Sequence, residues 1–193
     1  MVARVFFFGF RDLNYFFLAC NNFFSGLICL TLDVWCFYLT KEGPNSLEVV
    51  PHVELEKYLG KWYEIAHLPF RFEDDCTDIT ATYSLSKDGS VSVLNGCVKD
   101  GKLKQAKGKA KVVDKSTGAK LKVTFFWPFS ADYWIINLDK DYNYAIVGSP
   151  SRKYLWILNR TPQMDDKLFS QLTEFAMLKG FDVSKLIKTS QKL

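Results

Sequence analysis

Residues 77–98 read TDITATYSLSKDGSVSVLNGCV, two runs of alternating side chains on either side of Asp88-Gly89. In each run, β-branched and aromatic residues alternate with small or polar ones, which is the period of a half-buried strand. An Asp-Gly pair between two such runs is typical of a tight hairpin turn. This segment therefore predicts an antiparallel hairpin, and the same pattern recurs along the rest of the chain.

Eight runs of this kind are predicted to be strands, and short turns separate them. Short connections favour an up-and-down order over Greek keys. We expect an all-β fold: an eight-stranded antiparallel up-and-down barrel, whose interior is either filled by side chains or holds one small ligand. The predicted strands are Trp62–Leu68, Thr77–Ser86, Val91–Val98, Leu103–Val113, Ala119–Phe126, Tyr133–Leu138, Tyr144–Val147 and Tyr154–Asn159.

After the last predicted strand, the spacing of apolar residues changes from two to that of a helix. Asp165 and Asp166 stand where a helix would begin, Leu168 and Leu172 have helical spacing, and Gly180 is a plausible stop. The pattern predicts one C-terminal α-helix of about four turns, packed on the barrel wall.

Alternation along the strands also predicts which side chains face the interior. If Tyr83 points inward, Ile79, Ala81 and Leu85 share its face. Asn137, on the face of Tyr133, would be among the few polar groups inside. An apolar interior with a few polar groups is the usual form of a small-molecule site, while a packed core remains the alternative. By the same rule, the inward residues on later strands are Leu121, Val123, Phe125, Tyr133, Ile135, Trp156 and Leu158.

The first 40 residues differ from the rest, with nine of the 17 phenylalanines and only four charged residues. A weakly basic start before an apolar run from Phe23 to Leu39 is the order of an export signal or anchor. The run is short for a membrane span and contains Asp33. Two alternatives stay open, an exported protein or translated upstream sequence. Residues 41–52 are predicted to be a linker, which leaves a domain over residues 53–193.

Charge and motif content exclude several classes of function. The net charge of +4 is too small to indicate nucleic-acid binding. His52 and His67 lack the spacing of metal ligands, and no phosphate-binding loop or nucleophile elbow is present, so neither a metal nor a cofactor is expected. Residues 99–122 contain nine lysines, of which Lys107, Lys109 and Lys111 alternate. They form either a solvated outer wall or a stripe for anionic lipid headgroups.

Two motifs about 100 residues apart resemble the signatures of the lipocalin family. Residues 60–66 (GKWYEIA) resemble its Gly-x-Trp signature, and residues 156–160 (WILNR) resemble its third signature, whose arginine packs over the tryptophan. The second signature, normally Thr-Asp-Tyr, appears here as residues 138–142 (LDKDY), so that Asp139 or Asp141 takes its role. Further segments between Val53 and Ile187 resemble the branch of the bacterial outer-membrane lipocalins and apolipoprotein D.

The resemblance implies a non-enzymatic carrier that holds a fatty acid or lysophospholipid in a barrel calyx, for lipid storage or transport in membrane maintenance. Ligand contacts in this branch match Tyr83, Phe125, Tyr133 and Trp156, which alternation also turns inward. Burial of an acyl chain would contribute about 0.8 kcal/mol per methylene. Two rim loops, residues 70–75 and 127–132, are expected to set the headgroup preference.

The resemblance assigns structural roles to Gly60, Trp62 and Arg160. A guanidinium over an indole is a cation–π contact worth about 0.5–2 kcal/mol, and it would close one end of the barrel. The resemblance also implies export, to the periplasm or outer membrane in a bacterium. Attachment to the membrane by the leader or a lipid anchor, and formation of a homodimer, stay open.

Cys76 begins the second predicted strand and Cys97 ends the third, so the hairpin brings the two together and makes a disulfide plausible. A disulfide implies an oxidising compartment. Alternatively, Cys76 is a free thiol at the calyx mouth. A catalytic thiol lies near this position in the lipocalin that isomerises prostaglandin, which would make this chain an enzyme acting on a lipophilic substrate. Two unpaired structural thiols are a third alternative.

Overall fold

The computed structural model describes residues 46–71 and 73–192. Eight strands form a closed antiparallel barrel in sequence order, since each pairs with its neighbour and the eighth pairs with the first. The predicted barrel and helix are therefore confirmed. The helices are α1 (Leu55–Tyr58) and α2 (Asp166–Leu178), and the strands are β1 (Gly60–His67), β2 (Thr77–Leu85), β3 (Val91–Lys99), β4 (Lys102–Val112), β5 (Lys120–Phe126), β6 (Phe129–Leu138), β7 (Tyr144–Gly148), β8 (Leu155–Asn159) and β9 (Ile187–Lys188).

Residues 44–193 form one compact unit. The predicted leader and residues 41–45 of the predicted linker lie outside the described residues. The remainder of that linker packs against the barrel: the Leu47 side chain is 1% exposed, and the Val50 amide donates to the carbonyl of Ile135 at 3.0 Å. The chain therefore contacts the barrel before residue 53, the predicted start of the domain.

Among the described strands, the pairing register shifts in β1, β2, β5 and β6, and the bulges in β1 and β6 reverse the alternation of inward and outward side chains that the sequence predicts. In β1, Glu64 pairs with Leu158 and Ala66 with Ile157, which leaves Ile65 as the extra residue. In β6, Ile135 pairs with Val147 and Asn137 with Ile146, so that Ile136 is extra. A bulge turns the residues beyond it to the opposite face.

The bulge in β6 makes the inward prediction for Asn137 wrong. Its pairing partner Ile146 belongs to the cluster between the barrel wall and α2, whereas Leu138 packs against the barrel interior. Leu85 shares the face of Tyr83 as predicted, since the register is unbroken up to its partner Val91, but at the end of β2 its side chain is 54% exposed.

The strand β6 begins at Phe129, four residues before its predicted start. Ala131 and Asp132 pair with β5, so most of the predicted rim loop 127–132 is strand, joined to β5 by the turn at Trp127-Pro128. Phe129, Ala131 and Tyr133 do alternate with Ser130 and Asp132, but Pro128 and Ser130 are typical turn residues and therefore predict a loop here.

Helix α2 covers the outside of the barrel. The side chain of Asp165 accepts hydrogen bonds from the amides of Lys167 and Leu168 at 3.0 and 3.1 Å, which caps the helix N-terminus. Leu172 and Ala176 are buried against the wall. The helix ends before Gly180, whose φ of +86° is favourable for glycine.

Arg160 closes the end of the barrel at which β1 begins with Gly60. Its guanidinium carbon lies 3.8 Å from the ring centroid of the fully buried Trp62. The same guanidinium donates hydrogen bonds to the carbonyls of Lys61, Lys57 and Tyr142, at 3.0, 2.8 and 3.1 Å. We call this the closed end, and these contacts are those of a structural plug.

At the opposite, open end, the segment after β9 fills a gap between β1 and β2. These two strands pair only over Gly60–Tyr63 of β1. Beyond that point, the Gln191 side-chain amide donates to the carbonyl of Glu64 at 2.8 Å and to that of Ile79 at 2.9 Å. β9 itself pairs with Ala66 and His67 of β1. Residues 187–191 thus join the two strands where their own ladder stops.

Candidate functional site

A cavity of about 130 Å³ lies inside the open half of the barrel, which we call the calyx. This volume is far more than one water molecule requires. All four predicted ligand-binding residues line it, namely Tyr83, Phe125, Tyr133 and Trp156. The remaining wall is mostly aliphatic, with Ile79, Ala81, Val93, Val123 and Leu158. The interior is therefore not filled by side chains, and its surface suits an apolar ligand.

Three tyrosine hydroxyls form a chain on the closed-end side of the calyx. The Tyr133 hydroxyl lies 2.7 Å from that of Tyr58 and 2.8 Å from that of Tyr83. Burial raises the pKa of all three phenols, that of Tyr83 to about 12. The three hydroxyls therefore stay neutral and hydrogen-bonded at physiological pH.

Asn95 supplies an unsatisfied acceptor to the calyx wall. Its Oδ1 is buried and has no hydrogen-bond partner among the described residues. An unpaired buried polar atom costs about 1–3 kcal/mol, so a ligand hydroxyl or amide that donates to it would recover part of that cost. Its parity with Val93 is the one sequence signal that points to this residue.

Two carboxylates and one imidazole meet at the open end. His67 Nδ1 lies 3.2 Å from Glu73 Oε2, and His67 Nε2 lies 4.0 Å from Glu64 Oε1. Trp156 Nε1 donates to Glu73 Oε2 at 3.2 Å, while the Thr189 hydroxyl donates to Glu64 Oε1. Glu64 and His67 are both buried, with 3% and 4% of their surface exposed.

The environment of these groups changes their proton affinity. Burial raises the pKa of Glu64 to about 8, and the Glu73 carboxylate adds to this effect. For His67, burial lowers the pKa, but the hydrogen bond to Glu73 and the two nearby carboxylates outweigh burial, so that its pKa is raised. The cluster thus retains protons that the same groups would lose in water.

Sequence analysis missed this cluster because of the bulge at Ile65. In a regular strand, Glu64 and His67 would lie on opposite faces, since they are three residues apart. The extra residue returns His67 to the inner face, opposite Trp156. Glu73 comes from the rim loop before β2, whose side-chain directions have no period. No regular spacing could have brought the three together.

Cys76 and Cys97 form a disulfide, with their Cα atoms 5.7 Å apart. The separation is normal for a disulfide. Since both sulfurs are bonded, neither is available as the nucleophile of the alternative enzymatic hypothesis. Cys20, Cys29 and Cys36 of the leader lie outside the described residues.

Large aromatic side chains are exposed beside the calyx mouth. Phe126, Trp127 and Phe129, at the turn between β5 and β6, are 69%, 89% and 78% exposed. Large apolar groups exposed together indicate an interaction surface. Lys107, Lys109 and Lys111 on β4 are exposed as well, and Lys109 pairs with Asp88. Within the described part of the chain, no helix combines the length and the apolar character that crossing a bilayer requires.

Comparison with known proteins identifies the family. Residues 53–191 match the model of the lipocalin-like domain. Temperature-induced lipocalin-1 of Arabidopsis thaliana is 46% identical over 156 residues, which cover 76% of this chain and 84% of that protein. Outer membrane lipoprotein Blc of Escherichia coli (strain K12) is 45% identical over 150 residues, 77% and 85% of the two chains. Apolipoprotein D of Mus musculus is 38% identical over 172 residues, 80% and 89% of the two chains.

Solved structures support the same fold. Insecticyanin from the tobacco hornworm Manduca sexta superimposes with a TM-score of 0.61 at 23% identity, over 75% of this chain and 84% of that chain. Apocrustacyanin C2 superimposes with a TM-score of 0.60 at 19% identity, over 72% and 80%. At these identities the likeness concerns the barrel alone.

Proposed function

We propose that this chain, which belongs to the lipocalin family, is a carrier whose calyx holds the acyl chain of a fatty acid or lysophospholipid. Lipocalins are generally carriers of small lipophilic molecules, and a carrier needs no catalytic group. The observation that carries the proposal is the cavity of about 130 Å³, lined by Tyr83, Phe125, Tyr133 and Trp156.

Desolvation of the acyl chain supplies the binding energy in this proposal. Each buried methylene contributes about 0.8 kcal/mol, so ten of them contribute about 8 kcal/mol before the cost of association is subtracted. The chain end would point toward the tyrosine hydroxyls, and the polar end would remain at the mouth near Trp156 and Phe70, whose rings meet edge to face at 5.8 Å. This orientation leaves the headgroup in contact with water.

Export and membrane association form the second part of the proposal. The disulfide between Cys76 and Cys97 fits an oxidising compartment. The exposed Phe126, Trp127 and Phe129 lie at the end of the barrel where ligand would enter. Aromatic side chains favour the membrane interface, so this turn would hold the calyx mouth against a bilayer while lipid is exchanged. The apolar leader and the relative named outer membrane lipoprotein support export to a membrane surface.

Ligand titration of the delipidated full chain tests the carrier function. Tryptophan emission is followed while a lysophospholipid and a fatty acid of equal chain length are added separately, because Trp156 lies in the calyx wall. We expect a saturable change, which the larger side chain of Ala81→Phe abolishes by filling the cavity. Leu103→Phe adds a ring at a side chain that is 67% exposed and should bind like the wild type.

Two results would contradict the carrier function: a folded protein that gives no saturable change with either lipid, or unchanged binding by Ala81→Phe. Far-ultraviolet circular dichroism establishes that each variant is folded. The ratio of the two affinities then identifies the preferred polar end.

A further inference from the structure

We propose that Glu64, His67 and Glu73 bind a divalent first-row transition cation at the mouth of the calyx. The three side chains can each present one ligand atom, and these atoms lie within 4.8 Å of one another. Two of the three residues are buried and the third is nearly so, which distinguishes this cluster from exposed acidic groups on the surface. Glu64 and Glu73 border the calyx, but cation binding there does not depend on the lipid-carrier function.

The hydrogen bonds of His67 leave one ring nitrogen free. Nδ1 lies 3.1 Å from the carbonyl of Leu68 and 3.2 Å from Glu73 Oε2. Nε2 makes no hydrogen bond with any described residue, although the side chain is 5% exposed, and it faces Glu64 Oε1 at 4.0 Å. A histidine that donates one N–H to a backbone carbonyl presents its other nitrogen as a metal ligand.

The gap between His67 Nε2 and Glu64 Oε1 suits a cation better than a hydrogen bond. At 4.0 Å the two atoms are too far apart to share a proton. Two ligands of a tetrahedral ion with bonds of about 2.1 Å lie about 3.4 Å apart. A small side-chain rotation therefore closes the site around an ion.

The charges of the cluster also favour a divalent cation. Neither a lysine nor an arginine pairs with Glu64 or Glu73 in the described part of the chain, and His67 is the sole cationic group in contact with them. Once the cation has displaced the protons that the cluster holds, two carboxylates, a neutral imidazole and a divalent ion together carry no net charge, so no unpaired charge remains buried. One nitrogen and two oxygen donors favour Zn²⁺, Co²⁺ or Mn²⁺ over Ca²⁺, which prefers oxygen ligands alone.

Neighbouring groups hold the carboxylates in place. Trp156 Nε1 donates to Glu73, and the Thr189 hydroxyl donates to Glu64. Such outer contacts orient metal ligands. Glu64 and Glu73 also line the calyx, so further coordination positions of the ion would face the cavity and take water or an oxygen of a bound molecule.

Cobalt titration tests the site in the purified full chain after treatment with a chelator. We expect visible absorption bands that saturate at about one equivalent of Co²⁺ and that Zn²⁺ abolishes by competition. His67→Gln and Glu73→Gln should each weaken binding about tenfold or more. His52→Gln is the matched control, since His52 is exposed and outside the cluster, and it should leave the affinity unchanged.

The leader contains Cys20, Cys29 and Cys36, whose thiolates also bind Co²⁺ and add strong near-ultraviolet absorption. Cobalt bound there would survive in His67→Gln, so the proposed site is measured as the difference between the wild type and this variant. Glu64→Gln preserves side-chain shape and serves as a second test if His67→Gln fails to fold. The proposal is overturned if cobalt binding is absent, or if folded His67→Gln and Glu64→Gln bind as tightly as the wild type.

Discussion

Raising the pH above 10 is expected to unfold the barrel through its buried tyrosine hydroxyls. Tyr58, Tyr83 and Tyr133 all have pKa values raised by burial, that of Tyr83 to about 12, whereas a tyrosine in an unfolded chain has a pKa of about 10. Between these values the unfolded chain loses protons that the folded chain keeps. The contribution of these protonated hydroxyls to the free energy of unfolding is therefore fully present below pH 10 and is lost as the pH rises toward 12.

The size of the effect follows from linkage. Each phenol that stays protonated in the folded state costs about 1.4 kcal/mol of stability per pH unit above 10. Tyr83 alone would cost about 3 kcal/mol by pH 12, and the three together about 4 kcal/mol per pH unit. Since a domain of this kind is stable by about 5–15 kcal/mol, a loss of about 8 kcal/mol by pH 12 removes half or more of its stability and unfolds it if that stability is below about 8 kcal/mol.

Absorbance at 295 nm reports tyrosinate, and far-ultraviolet circular dichroism reports the barrel. We expect a late class of tyrosines to ionise together with unfolding. Tyr58→Phe should lower the stability at neutral pH by about 1 kcal/mol through its lost hydrogen bond, and should reduce the pH dependence by about one third. Tyr154→Phe, at a side chain that is 37% exposed, is the control. Ionisation of every tyrosine near pH 10 in a barrel that stays folded would refute this reasoning.

Three further changes test the packing of the fold. Replacing Cys76 and Cys97 together by alanine should lower the free energy of unfolding by about 3 kcal/mol, because the disulfide closes a loop with a sequence separation of 21. In urea titrations, the reduced wild type should be as stable as this variant. An oxidised wild type that is no more stable than the variant would contradict this prediction. Arg160→Ala should cost about 2 kcal/mol or more through the lost cation–π contact and hydrogen bonds, with Arg160→Lys intermediate and lipid affinity unchanged. Gly148→Ala should destabilise by about 1–3 kcal/mol, since the added Cβ would lie 2.6 Å from the Phe181 ring, and a melting temperature equal to that of the wild type would contradict the observed packing.

The barrel is predicted well from the sequence because each strand and turn is specified by residues that are close together in the chain. Alternation and turn residues fix each hairpin, and the segment around Asp88-Gly89 becomes the β2–β3 pair. The same alternation places Tyr83 in the calyx wall, because the register of β2 is unbroken from Thr80 to Leu85. Phe125 also lines the calyx, although the pairing of β5 with β6 shifts between Val123 and Phe126.

Prediction from sequence fails where one extra residue enters a strand. The bulges at Ile65 and Ile136 insert apolar residues into apolar runs, so that no change in composition marks them. The bulge at Ile136 turns Asn137 out of the barrel, and the bulge at Ile65 turns His67 into it. β9 pairs over two residues, too few to show any period. Each of these features depends on contacts between segments that are distant in the chain.

The junction made by Gln191 has a consequence for how the protein is made. Gln191 bridges β1 and β2 at the open end, yet it follows all eight barrel strands in the chain. During synthesis from the N-terminus, β1 and β2 emerge more than 100 residues before the group that joins them there. Contacts so distant in sequence form late in folding, because a long loop must first be closed. We therefore expect the nascent barrel to have a side opening next to Glu64, which the completed chain turns into a wall.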